Sequence, residues 1–125
     1  SNKTWMHNTN DSKKPAPGGE QPIDVAYTIM ALDLFYIVFE DIQYLNKMTI
    51  TFNWFLGRNH LNKIVYNPCT GGCYDGVEEN NINLNQGAES SISYLLARLT
   101  LEENGHLVSQ QTEKENIYAN VFELN

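Results

Sequence analysis

Positively charged side chains are scarce in this sequence. Its 125 residues contain eight lysines and arginines against fifteen aspartates and glutamates, a net charge of −7. A surface this acidic repels nucleic-acid phosphates and anionic lipid headgroups. Long hydrophobic runs are also missing, because the longest strongly apolar run, residues 29–39, contains Asp33 and is shorter than the roughly 20 residues of a membrane span. We therefore expect neither nucleic acid nor a membrane as a partner.

Metal-ligating side chains are few as well. The two cysteines, Cys69 and Cys73, have no zinc-site spacing to any of the three histidines (His7, His60 and His106). No metal and no cofactor is expected. The cysteine pair leaves two alternatives, a disulfide across the two intervening glycines or two free thiols in a reducing compartment. The free thiols, and with them a cytoplasmic location, are favoured.

Composition divides the chain into two parts. Residues 1–21 are rich in Asn, Ser, Lys, Pro and Gly and predict a flexible N-terminal segment, in which the opening Ser1-Asn2 resembles the scar of a cleaved tag. Residues 22–125 predict a helical domain, and the 42% of hydrophobic residues in the chain is enough for a packed core. The expected fold class is all-α.

Three helices are predicted in this domain. The first begins at Pro22 and is apolar around most of its circumference, so we expect it to be buried on several sides. The second carries one apolar stripe and ends near Gly57, forming a helical hairpin with the first. The third spans about residues 86–103 and is ended by Gly105.

The remaining segments are less regular. Residues 58–85 predict a long loop, with a weakly indicated β-hairpin that would pair residues 64–66 with a strand after Gly72. Residues 111–125 fit either a short helix or an extended tail.

Polar residues concentrate in three clusters at or before the predicted helices. The clusters are residues 19–24, 70–76 and 83–91, and they combine amides, carboxylates and aromatic rings. Amides and acids hydrogen-bond ring hydroxyls, and an aromatic face such as that of Tyr74 or Trp54 covers the apolar face of a sugar. Glycosidic chemistry further requires two carboxylates, for which Asp75 and Glu89 are the candidates and Asp24 the third.

Each carboxylate also has a structural explanation. Asp24 and Glu89 fall in first helical turns, where acidic side chains stabilise the helix dipole, and Asp75-Gly76 is a common turn dipeptide. Asn85 fits a helix cap. Singly, each residue favours the structural explanation, whereas three such clusters in one small chain exceed what capping requires.

Four motifs occur in an order that resembles a known family. They are Gly19-Glu-Gln-Pro-Ile-Asp24, Trp54-Phe-Leu-Gly57, Tyr66-Asn-Pro-Cys-Thr-Gly-Gly-Cys-Tyr-Asp-Gly76 and Asn83-Leu-Asn-Gln-Gly-Ala-Glu-Ser90. The set resembles the C-terminal portion of α/α-toroid (six-hairpin glycosidase-like) regions in bacterial chains where a nucleotide-sugar glycosyltransferase domain comes first. The resemblance covers about residues 19–103.

The resemblance implies a partial α/α toroid, a carbohydrate-active fragment that is inactive alone. Its partners would be carbohydrate and the preceding hairpins or transferase domain, and the isolated fragment would self-associate. The catalytic groups would be Asp75 and Glu89, with Asp24 as a third candidate. The sugar-binding residues would be Gln21, Trp54, Tyr74, Asn85 and Gln86. The alternatives are a non-catalytic helical packing module and a free-standing interaction domain.

Overall fold

The structure, a computed structural model, describes the backbone of residues 18–123 and the side chains of residues 18–105. The described residues form three helices and one two-stranded antiparallel sheet. In chain order these are α1 (Pro22–Phe39), α2 (Ile42–Phe52), β1 (Gly76–Val77), β2 (Ile82–Asn83) and α3 (Ala88–Glu123). The prediction of a mostly helical fold is confirmed. The predicted tag scar lies outside the described residues.

A two-residue connection joins α1 to α2 and confirms the predicted helical hairpin. Pro22 occupies the first turn of α1, where its missing N–H is not needed. The helix ends at Glu40, whose left-handed backbone (φ 53°) lets its N–H donate to the Tyr36 carbonyl. Asp41 then caps α2, because its carboxylate accepts a hydrogen bond from the Gln43 N–H at 2.9 Å.

The segment between α2 and α3 contains more pairing than the sequence indicates. The weakly predicted hairpin is present as a single bridge between Tyr66 and Cys73. The two strands β1 and β2 form a second hairpin, which the sequence did not indicate, with Val77 opposite Ile82. Glu20 pairs with the other side of Val77 through backbone hydrogen bonds of 3.1 and 2.9 Å. These bonds hold the residues before α1 against the hairpin.

The predicted ends of α2 and α3 are both wrong. The regular part of α2 stops at Phe52, and tight turns continue to Gly57, which has φ 104°. Helix α3 does not stop at Gly105 but continues to Glu123, and the stretch after residue 111 is part of it. A glycine inside a helix costs about 1 kcal/mol relative to alanine, which good helix-forming neighbours can offset.

Aromatic rings from α2, the loop and α3 form the centre of the core. Helix α1 packs against both α2 and α3. The Tyr66 and Tyr94 rings are stacked with centroids 4.2 Å apart, and Phe55 meets the Tyr94 ring edge-on at 5.2 Å. Phe55, Val65 and Val77 are fully buried. The loop is therefore packed onto the helices, which explains how a segment with little regular structure can position side chains.

The expectation that α1 is buried on several sides is wrong for the described residues. The buried side chains of α1 are those of Pro22, Ala26 and Ile29. Large apolar side chains on its other face are about 60–70% exposed, namely Tyr27, Leu34, Ile37, Val38 and Phe39. Helix α3 exposes a second apolar stripe of Ile92, Leu95, Leu96 and Leu99. By length and composition alone, α1 would also fit a membrane span, with 17% of it buried.

Candidate functional site

A polar cavity of about 310 Å³ opens between the β1–β2 hairpin and the first turn of α3. Its walls come from three separate parts of the chain: the residue before α1, the hairpin, and the start of α3. The lining residues are Gln21, Asp75, Glu78, Asn83, Gly87, Ala88, Glu89 and Ser90. The cavity therefore brings together Gln21, Asp75 and Glu89, one residue from each of the three polar clusters.

Asp75 is held in this cavity by both its backbone and its side chain. Its N–H donates to the carbonyls of Asn83 at 3.1 Å and Asn85 at 2.9 Å. Its Oδ1 atom accepts one hydrogen bond from the Gly87 N–H at 2.8 Å and another from the Ser90 hydroxyl at 2.6 Å. The carboxylate therefore joins the end of the hairpin to the first turn of α3, where unpaired N–H groups favour a negative charge.

The close approach of Asp75 to α3 requires a glycine at position 87. A Cβ added to Gly87 would lie 2.9 Å from Asp75 Oδ1. Gly76 has a similar role on the other wall, because a Cβ there would lie 3.0 Å from the Glu20 carbonyl oxygen. Both contacts are closer than carbon and oxygen atoms ordinarily approach, so each glycine permits a backbone contact that forms a wall of the cavity.

Gln21 occupies the cap position of α1 with an extended backbone, and its side chain makes no capping hydrogen bond. The pairing of the preceding residue, Glu20, with Val77 sets its position beside the hairpin. Glu20 is fixed further by its side chain, which accepts a hydrogen bond from the Trp54 indole N–H at 2.6 Å. Gln21 therefore lines a cavity whose walls are anchored to the core.

Glu89 and Glu78 are the least constrained carboxylates of the cavity. Glu89 lies in the first turn of α3 and is exposed, and Glu78 follows β1. Within the described residues, neither carboxylate forms a hydrogen bond or an ion pair. Each is therefore available to a ligand without losing an internal partner.

The charge of the cavity is uniformly negative. Three carboxylates line it, whereas no lysine, arginine or histidine is among the lining residues. On α3, Arg98 is paired with Glu102 at 2.7 Å. His60 contacts the backbone carbonyls of Glu78 and Glu79 at 3.0 and 3.2 Å and does not line the cavity. A ligand entering this cavity meets acceptors and amides without a compensating cation, so anionic groups are disfavoured.

The other predicted site residues do not line this cavity. Asp24 is exposed on the first turn of α1. Trp54 is 9% exposed. The Tyr74 hydroxyl accepts a hydrogen bond from Asn67 at 3.1 Å, and Gln86 accepts one from the Thr70 hydroxyl at 2.7 Å. Asn85 is exposed and contributes its carbonyl, rather than its side chain, to holding Asp75.

The structure adds five lining residues that the sequence did not single out as site residues, and one of them, Ala88, is apolar. Asn83, Gly87 and Ser90 fall within the third polar cluster, and the spacing of Gly87 and Ser90 by one helical turn could have indicated a shared contact. Glu78 lies outside all three clusters. Its position depends on a hairpin of two residues per strand, which is too short to leave a periodic pattern.

The cysteines do not contribute reactive groups here. Both are free thiols, with Cys69 exposed and Cys73 buried. Burial, reinforced by the nearby Asp75 charge, raises the pKa of the Cys73 thiol to about 12, so the thiolate is not formed near neutral pH. In the part of the chain that the structure describes, no group of three or more His, Cys, Asp or Glu side chains is arranged to hold a metal ion.

A comparison with protein-family models gives no match for this chain, and a comparison with curated protein sequences gives none either.

Proposed function

We propose that the polar cavity binds hydroxyl groups of a neutral carbohydrate, in a chain that forms the last hairpins of a bacterial glycosyltransferase-linked α/α toroid. One observation carries this proposal: Gln21, Asp75 and Glu89, which come from three of the motifs behind the family resemblance, line the same cavity. Residues up to 68 positions apart in the sequence have no reason to converge on a polar cavity if each serves only its own helix end.

The lining groups match the chemistry of a sugar ring. Hydroxyl groups both donate and accept hydrogen bonds, and the cavity offers carboxylate acceptors together with the Gln21 and Asn83 amides, which do both. Its volume is at the lower end of the roughly 300–1,000 Å³ typical of ligand pockets. One sugar unit, or the end of an oligosaccharide, is the ligand class that fits these two properties.

Asp75 and Glu89 are the proposed acid–base pair in the longer protein. Most glycoside hydrolysis uses two carboxylates on either side of the scissile bond, and these two line a common cavity. Asp24 lies outside the cavity, so its role is limited to the α1 dipole. The isolated chain is proposed to bind sugar without turning it over, since the rest of the toroid cleft would come from preceding hairpins.

The exposed apolar faces of α1 and α3 support packing against such hairpins. A helix that is apolar on opposite sides belongs inside a helical assembly. A lipid environment for α1 is less well supported, because the Asp33 carboxylate is hydrogen-bonded to Asn104 of α3 at 3.0 Å and lies in the middle of the helix. Helix α1 also packs along α2 and α3, which carry charged side chains, so we propose a cytoplasmic protein rather than a membrane one.

A sugar titration tests the proposal directly. The ¹⁵N-labelled 125-residue chain is titrated with methyl glycosides of neutral hexoses while amide shifts are followed by NMR. We expect saturable shifts at Gly87 and Ser90, and at least tenfold weaker binding in Asp75→Asn and Glu89→Gln. Asp24→Asn is the matched control, because it removes a carboxylate from a first helical turn outside the cavity. Equal affinity in all four proteins would rule out the cavity as the sugar site.

A non-catalytic helical packing module is the second candidate function. The observation that favours it is the large apolar surface that α1 and α3 leave exposed. It predicts that Asp75→Asn and Glu89→Gln alter the melting temperature but leave the activity of the longer protein intact. Measuring turnover and melting temperature on the same variants separates the two functions.

A further inference from the structure

We infer that Ser90 and Gly87 are positioning residues that turn Asp75 into a one-sided acceptor, with Oδ1 held by α3 and Oδ2 alone available to a ligand. This inference rests on the proposed function, because it assigns the atom through which the cavity would contact a sugar hydroxyl. Asp75 lines the cavity and is half-buried, whereas Ser90 lines it with only 6% of its surface exposed and donates its hydroxyl hydrogen to Asp75 Oδ1.

The hydrogen bonds to Asp75 are unevenly shared between its two oxygens. Oδ1 accepts from the Gly87 N–H and from the Ser90 hydroxyl, which uses both of its lone-pair directions. No hydrogen bond from a described residue reaches Oδ2. Short hydrogen bonds to an ionised carboxylate are about twice as strong as hydrogen bonds between neutral groups. The two bonds therefore hold the plane of the Asp75 carboxylate as well as its position.

The surrounding bonds remove the other ways in which Asp75 could move. Its backbone N–H is shared between two carbonyls of the β2 segment. Before Asp75 in the chain, the Cys73 N–H donates to the hydroxyl oxygen of Ser91 in α3 at 3.3 Å, and the Thr70 hydroxyl donates to Gln86, two residues before α3, at 2.7 Å. The side chain therefore cannot rotate to offer Oδ1 without breaking bonds to α3.

This arrangement makes the cavity sensitive to the polarity of a single atom. In Asp75→Asn, the amide oxygen can still accept both bonds from α3, and the amide NH₂ then replaces Oδ2. An acceptor becomes a donor at the ligand side while the tie to α3 is kept. A ligand hydroxyl that donates to Oδ2 in the wild-type protein loses that acceptor and can keep a bond only by turning to accept from the amide, which changes its geometry in the cavity.

A double-mutant cycle tests whether Ser90 acts through Asp75. Methyl hexoside affinity is measured by NMR in the wild-type chain, Ser90→Ala, Asp75→Asn and the double variant. We expect Ser90→Ala to weaken binding about tenfold, the effect of losing one hydrogen bond to a charged group. The double variant should bind no more weakly than Asp75→Asn, because the Ser90 hydroxyl hydrogen is already donated to Asp75 Oδ1 and acts on the ligand through that carboxylate.

Two controls separate positioning from a general structural effect. Ser91→Ala removes a hydroxyl from the neighbouring residue, which bonds to Cys73 rather than to Asp75, and should change affinity less than twofold. Ser90→Thr retains a hydroxyl and should restore most of the affinity. The Gly87 amide resonance, recorded without sugar, should shift in Ser90→Ala and not in Ser91→Ala, because only Ser90 shares Oδ1 with that amide.

The outcomes distinguish this inference from the proposed function. A wild-type chain that binds none of the hexosides removes the proposed function and the ligand role of Oδ2 with it. If the wild-type chain binds, the Ser90→Ala variant binds equally well and the Gly87 amide is unshifted, then the inference is overturned while the proposed function stands. Additive losses in the cycle would also overturn it, since they would mean that Ser90 acts independently of Asp75.

Discussion

Replacement of Gly87 by alanine is the sharpest test of the geometry around Asp75. The added Cβ would lie 2.9 Å from Oδ1, so the carboxylate must move, and the bond from the Gly87 N–H is the one that it would lose. Losing a hydrogen bond to a charged group costs about 1.5–3 kcal/mol, and replacing glycine by alanine returns about 0.4–1 kcal/mol by restricting the unfolded chain. We expect a net loss of about 1–2 kcal/mol.

Thermal unfolding followed by circular dichroism measures this loss. For a chain of 125 residues, each kcal/mol lowers the melting temperature by about 4 °C. Gly105→Ala is the matched control, because Gly105 lies within α3, the helix that Gly87 immediately precedes, and a Cβ there meets nothing within 4 Å. That variant should be about 0.5–1 kcal/mol more stable than the wild type. If Gly87→Ala is stabilised to the same degree, Asp75 is not held against α3 and the description of the cavity is wrong.

Two further predictions concern the thiols and the exposed apolar faces. At pH 8 a disulfide reagent should label Cys69 and leave Cys73 unreacted until the chain unfolds. Burial raises the pKa of the Cys73 thiol from 9.0 to about 12. The stability that the protonated thiol contributes is therefore complete below pH 9 and is lost as the pH rises toward 12. A free energy of unfolding that stays constant over this range would contradict the burial of Cys73. Light scattering should show a dimer or larger species. Leu34→Lys on α1 should shift it toward monomer, whereas Leu84→Lys, at a similarly exposed position on the loop, should not. A wild-type chain that stays monomeric at high concentration would contradict this reasoning.

The helical hairpin is the part of the fold that local signals predict best. Proline in the first turn of α1 and the apolar stripe of α2 act within a few residues, so their effect can be read without knowing the rest of the fold. Helix ends were less predictable. Gly105 has the residue type of a helix stop, yet the chain continues through it, because a glycine penalises a helix without preventing it.

The burial of α1 could not be predicted from its apolar composition. The composition of a helix determines how much apolar surface it has, whereas the burial of that surface depends on which elements lie beside the helix. The described chain covers only the side of α1 that contains Ala26 and Ile29. The apolar side that the described residues leave exposed is therefore a finding of the tertiary structure alone.

For the site, the sequence determined the chemical character and three of the residues. Its excess of carboxylates and the clusters around Gln21, Asp75 and Glu89 predict a region rich in carboxylates and amides, since those properties belong to the residues themselves. Only the tertiary structure decided which clusters meet and which atoms remain available. The hairpin that carries Glu78, the hydrogen bond from Ser90 and the space left by Gly87 all depend on contacts between segments that are distant in the chain. Such contacts leave no periodic trace, because they arise from the packing of the loop against α3 and not from the preferences of either segment.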